Sequence, residues 1–140
     1  MKILLITLGS LAALIAIVAI CGMMLPEKHT ASRMARYRQP PEKLWIAIAN
    51  YKGDESLGTK VEESDPPRRL VTRVIDPHHN FGGTWTWEIQ PASDGSLLRI
   101  TEDGEVYNPI FRFVSRFVIG HTKTMETALR SFGENVQIED

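Results

Sequence analysis

An unbroken apolar run opens the chain. It extends from Ile3 to Leu25 without a charged residue, and Pro26-Glu27-Lys28 closes it. An α-helix of that length covers the roughly 30 Å hydrocarbon core of a bilayer, because each residue adds about 1.5 Å. The pattern therefore predicts one transmembrane helix as an anchor over residues 1–27, followed by a single domain over residues 28–140.

A cleaved signal peptide is the alternative interpretation of this run. The apolar region of a signal peptide covers about 7–15 residues and ends in a small-x-small cleavage site. The run in this chain is longer, and Ala19-Ile20-Cys21 is a poor cleavage site. Lipoprotein processing at Cys21 is also disfavoured, because the preceding Ile20 is bulky and β-branched. We therefore predict a single-pass protein whose first partner is the membrane.

The charges that flank the run disagree about which side of the membrane carries the domain. Lys2 precedes the run, whereas Lys28, Arg33, Arg36 and Arg38 follow it. Counting positive residues places the domain in the cytoplasm. A single basic residue before a long apolar run instead resembles a signal-anchor, which places the domain outside. We favour the extracytoplasmic side, and the cytoplasmic side stays open.

Beyond the anchor, the alternation of apolar and polar residues predicts about five strands and one short helix. The helix follows Pro40, with proline in its first turn and Leu44, Trp45 and Ile48 at helical spacing. The residues from Tyr51 to Thr59 are polar and turn-forming, so they are expected to be a loop. The strands are predicted at His29–Arg38, Lys60–Ser64, Arg69–Ile75, Thr84–Gln90 and Ser96–Tyr107.

The C-terminal part of the chain predicts one long helix. Asn108 is a good N-cap, Pro109 suits the first helical position and Gly133 suits the C-terminal stop. The helix is therefore expected from Pro109 to about Phe132, packed on the sheet in a two-layer α+β domain. Its apolar stripe consists of Ile110, Phe113, Val114, Phe117, His121, Met125, Ala128 and Phe132.

Charge and cysteine content exclude some classes of function. The chain carries 16 Lys and Arg residues against 17 Asp and Glu residues, a net charge of −1 at pH 7. Binding to nucleic acid needs a basic surplus that neutralises several phosphates, so we predict no nucleic-acid partner. Cys21 is the only cysteine of the sequence, so the fold has no intramolecular disulfide.

Four stretches, in this order and spacing, resemble the START-like, helix-grip superfamily, which includes polyketide cyclase/dehydrase and lipid-transport proteins. The resemblance covers most of residues 28–140 and is closest to a membrane-anchored branch. It implies a helix-grip-like fold in which the long C-terminal helix and the sheet hold a hydrophobic ligand. The stretches are RYRQPPEKLWIAIAN (Arg36–Asn50), ESDPPRRLVTRVIDP (Glu63–Pro77), FGGTWTWEIQP (Phe81–Pro91) and ITEDGEVYNPIFRFVSRFVIGHTKTM (Ile100–Met125).

One departure from this superfamily concerns the edge of the sheet. Its members usually have a second short helix and two more strands where this chain has only the loop from Asn50 to Thr59. The two absent strands form half of the curved grip, so a shallower or open groove is expected. An exposed edge also invites pairing with another chain, so a homo-oligomer formed through that edge is a further expectation.

Candidate ligand contacts come from the same pattern. Trp85 and Trp87 alternate with threonines on one face of a strand, which is also what a core-facing strand shows. His121 falls on the apolar stripe of the long helix, where it could anchor a polar group or be satisfied within the core. The predicted ligand-binding residues are Trp85, Trp87, Phe113, Phe117 and His121.

Other polar clusters have simpler explanations than chemistry. His78 and His79 are adjacent, so both cannot readily bind one ion, and a solvated loop is expected. The acidic residues Glu102, Asp103 and Glu105 fit a strand that ends in a polar turn, rather than a cation site or an acid–base pair. We predict no catalytic residue, no metal and no cofactor.

The sequence therefore predicts a membrane-anchored START-like domain that binds a lipid or other hydrophobic small molecule without catalysis. Two alternatives remain. A cyclase or dehydratase would need a polar pair inside the cavity, for which the apolar stripe supplies only His121. An interaction module would have lost its cavity and would pair its free sheet edge with a partner.

Overall fold

A computed structural model describes residues 1–53, 56–133 and 136–139 of the chain. An N-terminal helix precedes a mixed set of strands and short helices. In chain order these are α1 (Lys2–Met24), β1 (Lys28–Tyr37), α2 (Pro41–Ala49), β2 (Gly58–Asp65), β3 (Arg69–Ile75), β4 (Phe81–Ala92), β5 (Gly95–Val106), α3 (Pro109–Val114), a π-helical turn (Ser115–Ile119), α4 (Lys123–Ser131) and β6 (Ile138–Glu139).

The described strands form one antiparallel sheet with the order β2-β3-β4-β5-β1-β6. A tight turn joins β4 to β5, where Ala92 pairs with Gly95. The short β6 adds a strand that the sequence pattern does not predict, because it contains two residues, paired with Met34 and Ala35. The predicted α+β class and the antiparallel sheet are confirmed.

One face of the sheet carries the core. Helices α2 and α4 cover it, and the hydroxyl of Tyr37 on β1 donates a 2.5 Å hydrogen bond to the carbonyl of Leu129 on α4. Every core position of β4 and β5 follows the two-residue alternation of a half-buried strand. The core cluster consists of Ala35, Tyr37, Leu44, Ile48, Leu70, Trp87, Ile89, Leu98, Ile100, Met125, Ala128 and Leu129.

The C-terminal helix is not the continuous element that the apolar stripe predicts. It is divided into α3, the π-helical turn and α4, with a break at Gly120. Gly120 has a φ of 83°, which glycine adopts without steric cost and which ends a right-handed helix. As a result, α4 packs on the sheet whereas α3 packs against the end of α1.

The edge of the sheet agrees with the predicted loss of two strands. Between α2 and β2, the described residues 51–53 and 56–57 contain no strand. The β2 residues from Gly58 to Ser64 are all exposed, and within the described part of the chain β2 pairs only with β3. The sheet therefore ends in a strand whose two faces and outer edge are open.

The N-terminal helix joins the domain through a close contact. By length and composition α1 could cross a membrane, a property that signal sequences share. Gly22 near its end is buried, and a Cβ atom there would overlap the carbonyl of Pro109. Glycine at this position therefore lets the backbones of α1 and α3 touch.

The guanidinium of Arg112 reinforces this junction. Its side chain is only 9% exposed. It donates to the carbonyls of Gly22 (3.3 Å) and Leu25 (3.4 Å), to those of Val106 (2.7 Å) and Tyr107 (2.8 Å), and to the carboxylate of Glu27 (3.0 Å). These acceptors match the five N–H donors of an arginine.

Packing of α4 on the sheet predicts the effect of shortening a buried side chain. Met125 is completely buried, so Met125→Ala should lower the free energy of unfolding by about 2–5 kcal/mol, through lost burial and the cavity left behind. Urea unfolding of the detergent-solubilised chain measures the change. The matched control is Arg130→Ala on the exposed side of α4, which should change stability by less than about 0.5 kcal/mol; equal effects would contradict this packing.

Candidate functional site

A groove of about 420 Å³ lies on the inner face of the sheet. Its floor comes from β3 and β4, its rim from β2 and the end of α2, and one end from the π-helical turn. Ligand sites in proteins typically occupy about 300–1,000 Å³, so the groove is large enough for a small molecule. Its lining residues include Leu70, Thr72, Val74, Trp85, Trp87 and Ile119.

The walls of the groove are mainly apolar because of the strand period. Thr72 and Val74 lie two residues apart on β3, and Trp85 and Trp87 lie two residues apart on β4, so each pair points to the same face. Val61 on the rim is 57% exposed, since no strand beyond β2 covers it in the described residues. The groove is thus open on the side where two strands of the superfamily are missing, as the sequence predicts.

A polar cluster interrupts this apolar surface around Glu102. One carboxylate oxygen lies 2.7 Å from Nε2 of His29, and the other accepts a hydrogen bond from Nε1 of Trp85. The side chains of His29 and Glu102 are 16% and 17% exposed. An ionised carboxylate in such a position needs hydrogen-bond partners, and these two groups supply them.

The strand register explains why these residues meet. Trp85 on β4 pairs with Glu102 on β5, and His29 on β1 pairs with Gly104 on β5. A Cβ atom on Gly104 would overlap the imidazole of His29. The absence of a side chain at Gly104 therefore lets the His29 ring lie over β5 and reach Glu102.

His121 completes the cluster from the segment before α4. Its ring stacks on that of His29, with the centroids 3.9 Å apart and the planes 20° from parallel. Burial lowers the pKa of His121, and the electrostatic interaction with His29 lowers it further, whereas Glu102 acts in the opposite direction. The neutral imidazole is therefore favoured, as a donor or acceptor of hydrogen bonds.

A second, smaller cavity of about 270 Å³ lies between this cluster and the end of α1. His29 lines both the groove and this cavity, so the cluster stands between them. The wall on the α1 side comes from Leu25 and Pro26, and Arg112 and His121 contribute polar atoms. The site is consequently an apolar groove with polar groups at the end nearest α1.

Among the described residues, no group of three or more His, Cys, Asp or Glu side chains is placed to hold a metal ion. His78 and His79 are exposed in the loop between β3 and β4. The carboxylate of Asp76 organises that loop, because it accepts hydrogen bonds from the backbone N–H groups of His78, Asn80 and Phe81, at 2.8, 2.9 and 3.1 Å. These hydrogen bonds lower the pKa of Asp76.

Three of the five predicted ligand contacts line the two cavities, and the other two lie outside them. Trp85 and Trp87 line the groove, and His121 lines the smaller cavity. Phe113 and Phe117 lie on α3 and the π-helical turn with ring centroids 5.0 Å apart, outside the described lining of both. Phe117 is 62% exposed. Their role in ligand binding stays a prediction.

The sequence pattern overlooked His29 and Glu102 as site residues. Glu102 was grouped with Asp103 and Glu105 as the polar end of a strand, which suits the exposed Asp103. A signal was nevertheless present, because Glu102 continues the inward series that begins with Leu98 and Ile100. A carboxylate in phase with buried positions indicates a buried polar site. His29 had no such signal, since its neighbours are polar.

Solved structures similar to this chain share its architecture. A protein from Mesorhizobium loti aligns with a TM-score of 0.53 and 18% identity, covering 74% of this chain and 96% of its own. A protein from Rhizobium leguminosarum aligns with a TM-score of 0.55 and 10% identity, covering 76% of this chain and 92% of its own. CalU16 from Micromonospora echinospora aligns with a TM-score of 0.50 and 16% identity, covering 76% of this chain and 86% of its own.

No family model matches the chain, and no curated protein matches it. The structural similarity, at identities of 10–18%, therefore concerns the fold alone. The fold is START-like. This confirms what the four sequence stretches implied about architecture.

The histidine stack generates a prediction about titration. His121 should titrate below its ordinary pKa of 6.5, because burial and His29 disfavour its charged form. Because the pKa of His121 is lower in the folded chain than in the unfolded chain, its contribution to stability is complete above the pKa of the unfolded chain. That contribution is lost as the pH falls through the pKa of the folded chain. An NMR titration of the imidazole measures the pKa directly.

Two variants separate the causes of this shift. His29→Gln should raise the pKa of His121 by removing the electrostatic interaction that lowers it, and Glu102→Gln should lower the pKa by removing the interaction that raises it. An unshifted pKa in the unmodified chain, or two variants that move it in the same direction, would be inconsistent with the stacked geometry.

Proposed function

We propose that this chain is a membrane-anchored binding protein whose groove takes a lipid or another hydrophobic small molecule, without catalysis. The observation that carries the proposal is the groove itself, which combines about 420 Å³ of mainly apolar space with one polar cluster at its end. A site with apolar walls and few convergent polar groups is the usual form of a hydrophobic ligand site. The START-like fold supports this class of function.

The arrangement of the groove favours an amphipathic ligand. The apolar part would lie along Leu70, Val74 and the two tryptophans, which have large apolar surfaces to bury. A hydroxyl, carbonyl or headgroup would reach the cluster of His29 and Glu102, where both donor and acceptor atoms are present. The polar cluster thus fixes orientation, and the apolar walls supply most of the binding free energy.

Membrane anchoring is supported by the way α1 ends. Removal of α1 as a signal peptide would expose the buried surface of Pro109 and take away the carbonyl of Gly22 to which Arg112 donates. A buried guanidinium that loses partners destabilises a protein, because its desolvation is no longer compensated. A helix retained as an anchor keeps these contacts. We place the domain on the extracytoplasmic side, as the signal-anchor pattern favours.

Filling the groove should abolish ligand binding. Val74 is half-buried and lines the groove, so Val74→Trp would occupy the space of the ligand. We expect the amount of co-purifying lipid, measured by native mass spectrometry in detergent, to fall at least roughly tenfold, equivalent to about 1.4 kcal/mol of binding free energy.

The matched control changes the next residue, on the other face of the same strand. Ile75 is 49% exposed and lies outside the described lining of the groove. Ile75→Trp adds the same side chain, so it should leave the lipid content unchanged. Equal lipid content in both variants, or an unmodified protein that carries no hydrophobic molecule, would refute binding in the groove.

The pair of His29 and Glu102 favours a second candidate function, acid–base catalysis of the cyclase or dehydratase type. Nε2 of His29 and Oε1 of Glu102 lie 2.7 Å apart at the end of the groove, which is within reach for proton transfer. Glu102→Gln keeps the shape but removes the ionisable carboxylate. If the unmodified protein converts its extracted ligand into a product of different mass or retention time and Glu102→Gln does not, the domain is an enzyme.

A third candidate is an interaction module that uses the free edge of β2. Its backbone groups on that side have no strand partner in the described residues, and such an edge is a template for pairing with another chain. A homo-oligomer formed in this way would appear in the same native mass spectra as an integral multiple of the chain. Pairing through β2 does not fill the groove, so ligand and oligomer can be read independently.

A further inference from the structure

The segment formed by α3 and the π-helical turn, residues 109–119, presents apolar side chains to solvent next to the end of α1. Contiguous exposed apolar surface on a protein usually marks a contact with another surface. Within the segment, the exposed apolar residues are Ile110 (37%), Phe111 (37%), Phe117 (62%), Val118 (72%) and Ile119 (53%).

We propose that residues 109–119 are a second membrane contact, which lies in the interface of the leaflet where α1 leaves the bilayer. The inference rests on the proposed role of α1 as a membrane anchor. The surface that covers residues 109–119 is, in this proposal, the boundary between lipid headgroups and acyl chains, rather than another protein. An interfacial element buries its apolar face about 5–10 Å below the headgroups, so its depth is the quantity to establish.

The packing of α3 against α1 fixes that depth. Gly22 contacts Pro109. Val18 and Ala19, one turn earlier, are also partly buried, and α3 is the main packing partner of α1. The apolar run of α1 ends at Leu25. At about 1.5 Å per residue, Gly22 and Val18 lie roughly 5 and 10 Å below that end. A helix beside them therefore lies at interfacial depth whenever α1 spans the bilayer.

The charges of the segment are compatible with this position. Arg112 is buried and directs its donors to backbone carbonyls and Glu27, so it presents no bare charge to lipid. Arg116 is exposed, and a long arginine side chain can extend from the interface to the headgroup phosphates. No acidic residue occurs between Pro109 and Gly120. The segment thus matches the chemistry of an interfacial helix.

The position also connects the membrane with the groove. Ile119 is an exposed residue of the segment and a lining residue of the groove. At the other end, Phe111 stacks on Phe81 of β4, with ring centroids 5.5 Å apart. One end of the groove consequently opens beside the surface that we assign to the bilayer. A lipid can enter sideways from the leaflet without passing through water.

Fluorescence quenching tests the proposal in the full chain. In a Cys21→Ala background, Val118→Cys is labelled with the environment-sensitive dye NBD, and the protein is reconstituted into phosphatidylcholine vesicles that contain nitroxide-labelled lipid. The control is Ser93→Cys in the turn between β4 and β5, which is exposed. That turn is separated from α3 by the length of β5, about 35 Å.

We expect the label at Val118 to emit at shorter wavelength, to be quenched by the nitroxide lipid, and to be several-fold less sensitive to aqueous iodide than the label at Ser93. Similar iodide quenching at both positions would overturn the proposal. Protection from iodide without quenching by the lipid would also overturn it, because a protein surface would then cover the segment.

The readout separates this inference from the proposed ligand binding. The lipid content of the Val74→Trp variant tests the groove alone. If that variant retained its lipid, groove binding would be refuted, but the expected quenching at Val118 would be unchanged. Conversely, an iodide-accessible Val118 in a protein that still co-purifies with lipid would remove the interfacial contact and keep the binding function.

Discussion

The junction at Arg112 sets the geometry on which the other features depend. A buried guanidinium is tolerated only when its donors are paired, and its acceptors belong to the end of α1, the segment before β1 and the end of β5. Two parts of the chain that are distant in sequence, residues 22–27 and 106–112, are therefore held at one point. Gly22 permits this approach because any side chain there would meet Pro109. The direction in which the chain continues from α1 into the domain follows from these contacts.

The same junction determines which end of the groove is polar. β5 runs from the distal turn toward Val106, whose carbonyl accepts from Arg112. Glu102 precedes Val106 by four residues, on the same face, so the two residues lie about 14 Å apart along β5. His29, the second residue of β1, lies at the corresponding level, because it pairs with Gly104. The polar cluster therefore lies near the end of α1 as a result of strand register.

Much of the architecture could be predicted from local sequence. The alternation of Trp85 and Trp87 with threonines, and the proline before α2, are local signals, and they predicted β4 and α2 correctly. The single long C-terminal helix was wrong in detail. Its apolar stripe continues through Gly120, so periodicity alone could not show that glycine adopts a φ of 83° there. The two halves then pack on different partners, α1 and the sheet.

The candidate site was less predictable, for a related reason. Trp85 and Trp87 could be identified as groove residues because apolar alternation marks a covered face. The contact of His29 with Glu102 joins residues 73 positions apart, and it depends on the register of β1 with β5 and on the absence of a side chain at Gly104. Arg112 lies outside the apolar stripe of the predicted C-terminal helix, so the sequence predicts that it is on a polar face. Its burial depends on α1, whose apolar sequence gave no sign of accepting hydrogen bonds at its end.

The loss of two strands is compatible with binding only if something else limits the exposure of the groove. An open apolar groove in water is costly at about 25 cal/mol per Å² of exposed apolar surface. Two features reduce that cost in this chain. Tyr51, which lines the groove, packs edge-on against Trp87 and covers part of the floor. In the arrangement proposed above, the bilayer covers the Ile119 end of the groove, which would otherwise open to water. A domain tethered at that end can retain a shallower groove than a freely diffusing one, because its ligand need not be shielded during transit through solvent.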